Sequence, residues 1–445
     1  MRRIIVSLSL VAACMQNAKA QEPMALSLQA AMDYAVKNNA AAKNARLDVQ
    51  IQDAQNRQVT SIALPQINGK GDFTGFFNLQ KAFVPGEFIG MPGTFVPVAF
   101  SPRYSTTASA TGSQILFDGS VLVGLQARKA AMELANQKGL LTEEMIRYQV
   151  QRTYYGIVIA RRQLSILNRS LSSLRNIAYD LRKLKESGFV EKIEVDRTNV
   201  QLNNLLTDSM RAQSFLQVSE QGLKFAMGLD IDAPIVLTDT SVEKTLEKGL
   251  VLGSGETDYS RRTEYSLLQT VQKLNEYNLK RYKLAALPTL AAVGSLGYNF
   301  GTNTFNQVFE FNKYYQFFSF AGLQLNVPIF SGFKRTNQVR EAKLNLEKIR
   351  NSIDSQKLAI DFDIQRSRTT FRNSILQLKS QESNMQLAET VLDLAEKKYK
   401  AGVGSNIEVN QAQTELLRAQ NNYFSTLLES VNAQSDLQKA LGNFK

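Results

Sequence analysis

The chain has no histidine and no tryptophan, a single cysteine, and only nine prolines in 445 residues. The lack of histidine excludes imidazole acid–base chemistry and histidine metal ligation. With Cys14 alone, no intramolecular disulfide can form. Beyond the first twenty residues, no apolar run approaches the roughly 20 residues that a membrane-spanning helix requires. If this chain crosses a membrane, it must do so as a closed β-barrel.

The N-terminus has the layout of a secretory leader. Arg2 and Arg3 precede a short apolar stretch from Ile4 to Ala13, and Ala18-Lys19-Ala20 forms a small-x-small cleavage step before Gln21. Residues 1–20 are therefore read as a signal peptide. Val11-Ala12-Ala13-Cys14 also fits a lipobox, so cleavage after Ala20 and lipidation at Cys14 both stand as readings. The formal charge is +12; the leader holds three of the basic groups (Arg2, Arg3, Lys19) and no acid, which leaves +9 for the mature chain. Acids are interleaved with these bases along helical faces, a solvated pattern that calls for no nucleic-acid partner.

Proline is absent between Arg103 and Ala233 and after Pro328. Because an interior proline costs a helix about 3 kcal/mol, such gaps permit very long helices. Leu164, Leu167, Leu171, Leu174, Ala178 and Leu181 step by three and four, a heptad-like seam, and Phe371, Ile375, Leu378 and Met385 repeat the rhythm around a polar Glu382. One helix is predicted from Ser120 to Ser187, roughly 100 Å long at the α-helical rise.

The sequence is written twice. Leu64-Pro65 recurs as Leu287-Pro288, Phe117-Asp118-Gly119 as Phe330-Ser331-Gly332, and Ala226-Met227-Gly228 as Ala440-Leu441-Gly442. Gly188-Phe189-Val190-Glu191-Lys192-Ile193-Glu194-Val195 returns as Gly402-Val403-Gly404-Ser405-Asn406-Ile407-Glu408-Val409. The first repeat covers 21–228: a helix, a strand at 66–77, a loop at 78–103, a strand at 104–116, and a helical hairpin with its tip near Gly188. A connecting segment, 229–262, carries a strand-like Ile235-Val236-Leu237 and a glycine-rich turn at 253–255. The second repeat covers 263–445, with strands at 289–300 and 314–328, a loop at 301–313, and a hairpin tip near Gly402. Residues 289–300 alternate: Leu290, Ala292, Gly294, Leu296, Tyr298 and Phe300 share one face, as one wall of a membrane barrel would. The loops hold Phe83, Phe88, Phe95, Phe100, Phe305, Phe309 and Phe311, which suits an external barrel mouth.

Four strands cannot close a membrane barrel, so the chain must oligomerise; twelve strands follow if the oligomer is a trimer. The fold class is therefore α+β, dominated by long helices and built on an internal two-fold repeat. There is no phosphate-binding loop, because Gly402 to Ser405 lacks the lysine that would follow, and no metal-ligand cluster. The chain is read as a non-enzyme without cofactor or metal.

The doubled motifs resemble those of the TolC-like outer-membrane efflux family over nearly the whole mature length. The resemblance rests on Leu26-Ser27-Leu28 with Asn38-Asn39, the Leu-Pro and Phe-x-Gly steps, and Tyr399 and Gly402 ahead of Ile407-Glu408-Val409. It implies a homotrimer in the outer membrane, with a twelve-stranded barrel among lipid continued by a twelve-helix periplasmic tube. It further implies a periplasmic adaptor and an inner-membrane transporter, of RND or ABC type, in a tripartite efflux or type I secretion system. The adaptor would meet the hairpin tips, Gly188, Phe189 and Val190 with Gly402, Val403 and Gly404. By the same resemblance Tyr399 latches to Glu194, and Glu408 lines a lumenal acid ring. Gly404 replaces the family's gating arginine and Gln411 a second ring acid, so a looser latch and a less acidic constriction are expected. The competing reading is a periplasmic coiled-coil scaffold without a pore, for which the strand pairs have no use.

Overall fold

The computed structural model describes residues 24–243, 246, 247, 257–310 and 315–444. The leader with Cys14 and Ala20, the turn at 253–255, Phe311 and residue 314 lie outside the described residues. Among the described residues no helix is long and apolar enough to cross a membrane. The chain divides into two compact units, one holding residues 49–135 and 268–352 and the other the remainder.

In the first of these units, strands β2 (Gln66–Gly75), β5 (Tyr104–Phe117), β7 (Thr289–Thr302) and β8 (Tyr315–Asn326) form one sheet in the order β2-β5-β7-β8. Every neighbouring pair is antiparallel. Each repeat thus supplies one hairpin, and the two hairpins pair through β5 and β7. A register shift between Ile115 and Phe117 marks a bulge where β5 ends. The segment expected as a loop at 78–103 contains a small hairpin of β3 (Ala82–Pro85) and β4 (Phe95–Val98). Its prolines, Pro85 and Pro97, obscured this, because proline is tolerated in a sheet only at edges. β7 runs two residues past Phe300, into the predicted 301–313 loop, to Thr302.

The other unit begins with β1 (Met24–Leu26), which pairs in parallel with β6 (Ile235–Leu237) of the connecting segment. Helix α1 (Leu28–Asn38) follows β1, and Ser27 caps it by accepting from Ala30 N at 3.2 Å; α2 (Ala40–Ser61) begins in this unit and continues into the sheet-bearing one. The long helices α4 (Lys192–Met227) and α7 (Asn406–Ala440) lie in this unit, whereas α3 (Gly119–Glu186), α6 (Lys334–Lys400) and α5 (Thr263–Leu284), which precedes β7, have part of their length in each unit. Leu167, Leu171, Leu174, Ala178 and Leu181 are buried along α3, and Phe371 and Ile375 along α6, as their spacing predicts. Tyr154 is fully buried; its hydroxyl donates to Leu26 O at 2.9 Å and accepts from Asp239 N at 3.0 Å, tying the β1–β6 ribbon to α3.

Four helix ends share one termination. At Gly188 and Gly402, and again at Gly228 and Gly442, the backbone takes positive φ. The next residue's N–H then reaches back to the helix: Phe189 to Leu184 O, Val403 to Lys398 O, Leu229 to Lys224 O, Asn443 to Gln438 O. This is the left-handed glycine stop that satisfies orphan carbonyls, and it recurs at matching places in both repeats.

Candidate functional site

Two features of the geometry bear on function: the two faces of the sheet and the two hairpin tips. Directly paired residues project to the same side of a sheet. The register therefore collects Ile67 and Phe73 of β2, Ala108 and Ala110 of β5, Leu290, Leu296 and Tyr298 of β7, and Phe317, Leu323 and Leu325 of β8 onto one face. The opposite face collects Asn68, Lys70 and Asp72, then Thr107, Ser109 and Thr111, then Ser295 and Asn299, then Gln316 and Gln324, and it also holds Ile115, Val293, Phe318 and Phe320. On that polar face Lys70 pairs with Asp72 at 2.8 Å and Thr107 donates to Asn299 Oδ1 at 2.9 Å.

Phe300 shares the apolar face by parity but is buried, because it stacks on its register partner Tyr315 at 4.6 Å. Toward the same end of the strands, Phe73, Tyr104, Phe305 and Phe309 form a chain of ring contacts. Among the described residues, β2 and β8 have no outer neighbour, and they run antiparallel to each other.

At the tips, Gly188 and Gly402 turn the chain, and the residues after them, Phe189 and Val403, are 80% and 79% exposed. Val190 is half-buried. Ser405 caps α7 by accepting from Glu408 N at 3.3 Å, which places Glu408 in the first helical turn, a position that favours an anion. Its side chain is exposed. Gly404 is held closely: a Cβ there would lie 2.9 Å from Lys398 Cβ and 3.0 Å from Tyr399 N. This tip has no room for the arginine of the family pattern, and glycine is a steric requirement of its tight turn.

Tyr399 is half-buried, its ring against the Ala395, Val409 and Ala412 cluster. Burial pushes its hydroxyl pKa up, and the charges of Glu194 and Asp180 push it further in the same direction. The structure thus brings Tyr399 and Glu194 into each other's field, yet no hydrogen bond joins them. Asp180 was not anticipated as a partner, since nothing in its own stretch of α3 distinguishes it from neighbouring surface charges. Nor was the polar seam of α7: Asn406, Asn410, Gln413 and Gln420 are all buried. Their spacing of four, three and seven was visible in the sequence, but amides at such positions read as surface. Gln201 of α4 crosses to this seam, donating to Asn410 O at 3.0 Å and Thr414 Oγ1 at 2.8 Å.

Comparison with known proteins agrees with this architecture. The family model described as outer membrane efflux protein matches residues 31–229 and 272–443, both repeats of the chain. The chain is 21% identical to the outer membrane protein TolC of Vibrio cholerae over 350 residues, 77% of this chain and 78% of that one. It is also 21% identical to the alkaline protease secretion protein AprF of Pseudomonas aeruginosa over 295 residues, 64% of this chain and 60% of that one. Among solved structures, the outer membrane protein VceC of Vibrio cholerae superposes with a TM-score of 0.70 at 15% identity, covering 93% of this chain and 96% of that one. CusC superposes with a TM-score of 0.72 at 14% identity, covering 93% and 91%.

Proposed function

This chain belongs to the outer membrane efflux protein family, and from that premise we propose that it is the passive exit duct of a tripartite efflux or type I secretion system. The observation that carries this reading is the four-stranded sheet with one mainly apolar face, one mainly polar face and, among the described residues, two unpaired edges of opposite direction. Unpaired edges in lipid cost several kcal/mol per backbone group. β8 of one copy can pair antiparallel with β2 of the next, a head-to-tail contact that generates a closed ring. Three copies give twelve strands, with apolar side chains toward outer-membrane lipid and the Asn, Ser, Thr and Gln face toward a wet lumen.

In the same assembly the long helices α3, α4, α6 and α7, with the shorter α2 and α5, line a periplasmic tube that ends at the Gly188 and Gly402 tips. The repeats 21–228 and 263–445 form its halves, and the segment 229–262 with β1 forms its collar. Exposed Phe189 and Val403, set in rigid glycine turns, present apolar contacts to a periplasmic adaptor, which couples the duct to an inner-membrane transporter. Tyr399, Glu194 and Glu408 form the gate: Tyr399 packs the tip of one hairpin within the field of Glu194 on the other, and three Glu408 carboxylates ring the lumen. The names of the relatives support this reading, since AprF is a protease secretion protein.

Single-particle imaging of the protein extracted from outer membranes tests it. Threefold particles with a membrane-width barrel are expected. A monomer or a thin rod without a barrel would leave the poreless scaffold as the correct reading.

A further inference from the structure

The chain's net positive charge is not spread evenly. From Tyr277 to Arg340 there are seven basic residues and a single acid, Glu310. Six of the seven flank the second hairpin of the sheet: Lys280, Arg281 and Lys283 in the last two turns of α5, and Lys334, Arg335 and Arg340 in the first two turns of α6. Thr289 pairs with Asn326, so both groups stand at the end of the sheet from which the helices leave. Arg335 is half-buried and the other five are exposed. Among the described residues none of the six forms an ion pair.

The fold gives no account of the α6 group. Arg281 and Lys283 suit the helix C-terminus they occupy, because cations there complement the helix dipole. Lys334 and Arg335 occupy a first turn, where the same dipole opposes them, and no acid accompanies them there. Nor does the architecture demand charge. Aligned on the Phe-x-Gly steps, Lys334, Arg335 and Arg340 stand where the first repeat has Val121, Leu122 and Ala127.

Apolar side chains adjoin these cations. Between β8 and α6, Ile329, Phe330 and Phe333 are 91%, 76% and 67% exposed. Phe333 also has a φ of 63°, which no other non-glycine residue among those described takes to the positive side. That left-handed region suits glycine and is costly for a residue with a Cβ. A phenylalanine held there, with its ring in the open, points to a use for the ring.

Exposed rings beside unpaired cations, at the end of a sheet in the membrane, suit the boundary between acyl chains and phosphate headgroups. A second copy of the chain would cover the apolar side chains without answering the charge. The acids of the first repeat nearest this end of the sheet are engaged within their own chain, Asp53 with Arg57 at 2.9 Å and Asp118 with Ser120 N at 2.7 Å. We propose that the β8–α6 junction, with the end of α5, binds anionic phospholipid headgroups of the periplasm-facing leaflet. Lys334 and Arg335 donate to phosphate oxygens, Lys280 and Lys283 add to the attracting field, and Ile329, Phe330 and Phe333 lie among the upper acyl carbons. This rests on the reading that the sheet spans the outer membrane.

The test is native mass spectrometry of the full-length protein in detergent, with cardiolipin, phosphatidylglycerol and phosphatidylethanolamine of one acyl composition added in turn. Adducts of the two anionic lipids are expected to exceed those of phosphatidylethanolamine roughly fivefold. Lys334→Gln with Arg335→Gln should abolish that preference. Lys348→Gln with Arg350→Gln, which removes the same charge further along α6, should retain it. Phe333→Gly should lower adduct yield roughly threefold while its melting temperature equals or exceeds the parent's, the opposite of what a merely structural ring would show. No headgroup preference, or equal loss in the two double variants, overturns the proposal. So does binding to peptidoglycan sacculi that the first double variant loses while its lipid preference persists, since the cations would then serve the cell wall. Planar-bilayer recordings separate the anchor from the duct. A conducting protein without headgroup preference faults the anchor alone, and a headgroup preference in a protein that never conducts faults the duct alone.

Discussion

Asn39 and Arg262 do the same work in the two repeats. Asn39 Nδ2 donates to Ala226 O at 2.7 Å, and Arg262 Nη1 donates to Ala440 O at 3.0 Å. Each acceptor sits two residues before a left-handed glycine, Gly228 or Gly442, and each glycine lies against the chain preceding the donor. A Cβ on Gly228 would meet Asn38 O at 2.8 Å, and one on Gly442 would meet Arg261 O at 2.5 Å. The repeat is thus preserved as a joint, although the donor has changed from a neutral amide to a nearly buried guanidinium paired with Glu264 at 3.2 Å.

The two joints should fail unequally. Asn39→Ala removes one neutral hydrogen bond and is expected to cost about 1 kcal/mol. Arg262→Ala also strands Glu264; since that carboxylate keeps some exposure, the loss is expected at about 2–3 kcal/mol. Chemical denaturation of the purified variants, followed by circular dichroism, would separate these values.

Acid should act on the second joint. Burial opposes ionisation of Glu264, but the Arg262 hydrogen bond and charge override it and hold the carboxyl below its usual 4.5. A depressed folded-state pKa contributes stability that is present above the unfolded value and lost as pH falls through the folded one. Melting temperature is therefore expected to fall with pH below about 4.5, and less steeply in Arg262→Ala.

What could be read from the sequence depended on whether side-chain type and position agreed. Leu171, Leu174 and Leu181 were legible because apolar residues at heptad spacing have no other stable place than a seam. β2 was nearly illegible: Gly69 and Gly71 carry no side chain to show a period, and only pairing through β5 to Leu296 and Tyr298 reveals its apolar face. Asn406 and Asn410 were missed for the opposite reason, since amides at buried positions contradict the rule by which burial is inferred. Gly404 was visible as a departure from a family pattern, but its cause, the 2.9 Å approach to Lys398 Cβ, exists only in three dimensions.

The gate should depend on the Tyr399 ring more than on its hydroxyl. The ring packs against Ala395, Val409 and Ala412, while no hydrogen bond to Glu194 is formed. Tyr399→Phe is expected to change closed-state conductance in planar bilayers less than twofold, whereas Tyr399→Ala should raise it several-fold. In the same recordings Glu408→Gln should shift the reversal potential under a salt gradient toward lower cation preference. A Tyr399→Phe channel as leaky as Tyr399→Ala would restore the hydroxyl latch.

The tips can be tested without disturbing the assembly. Phe189 and Val403 are exposed and follow their helix stops, so an acidic residue at either costs the fold little. The double variant Phe189→Asp, Val403→Asp should remain oligomeric by native mass spectrometry yet lose export in cells. Normal export would place adaptor contact elsewhere.

Adjacent residues of β5 give the most direct test of which sheet face meets lipid. Ala110 lies in register with Leu296 on the apolar face, and Ser109 with Gly297 on the polar one. A lysine toward lipid at mid-membrane depth costs about 2–4 kcal/mol, whereas a lysine toward a wet lumen costs little. Ala110→Lys is therefore expected to cut the yield of heat-resistant, membrane-inserted protein sharply, and Ser109→Lys to leave it near the parent level. Since the two positions differ by one residue, the same loop, strand and local propensity apply to both, and only the direction of the side chain distinguishes them. If the two variants behaved alike, the sheet would not be dividing lipid from water.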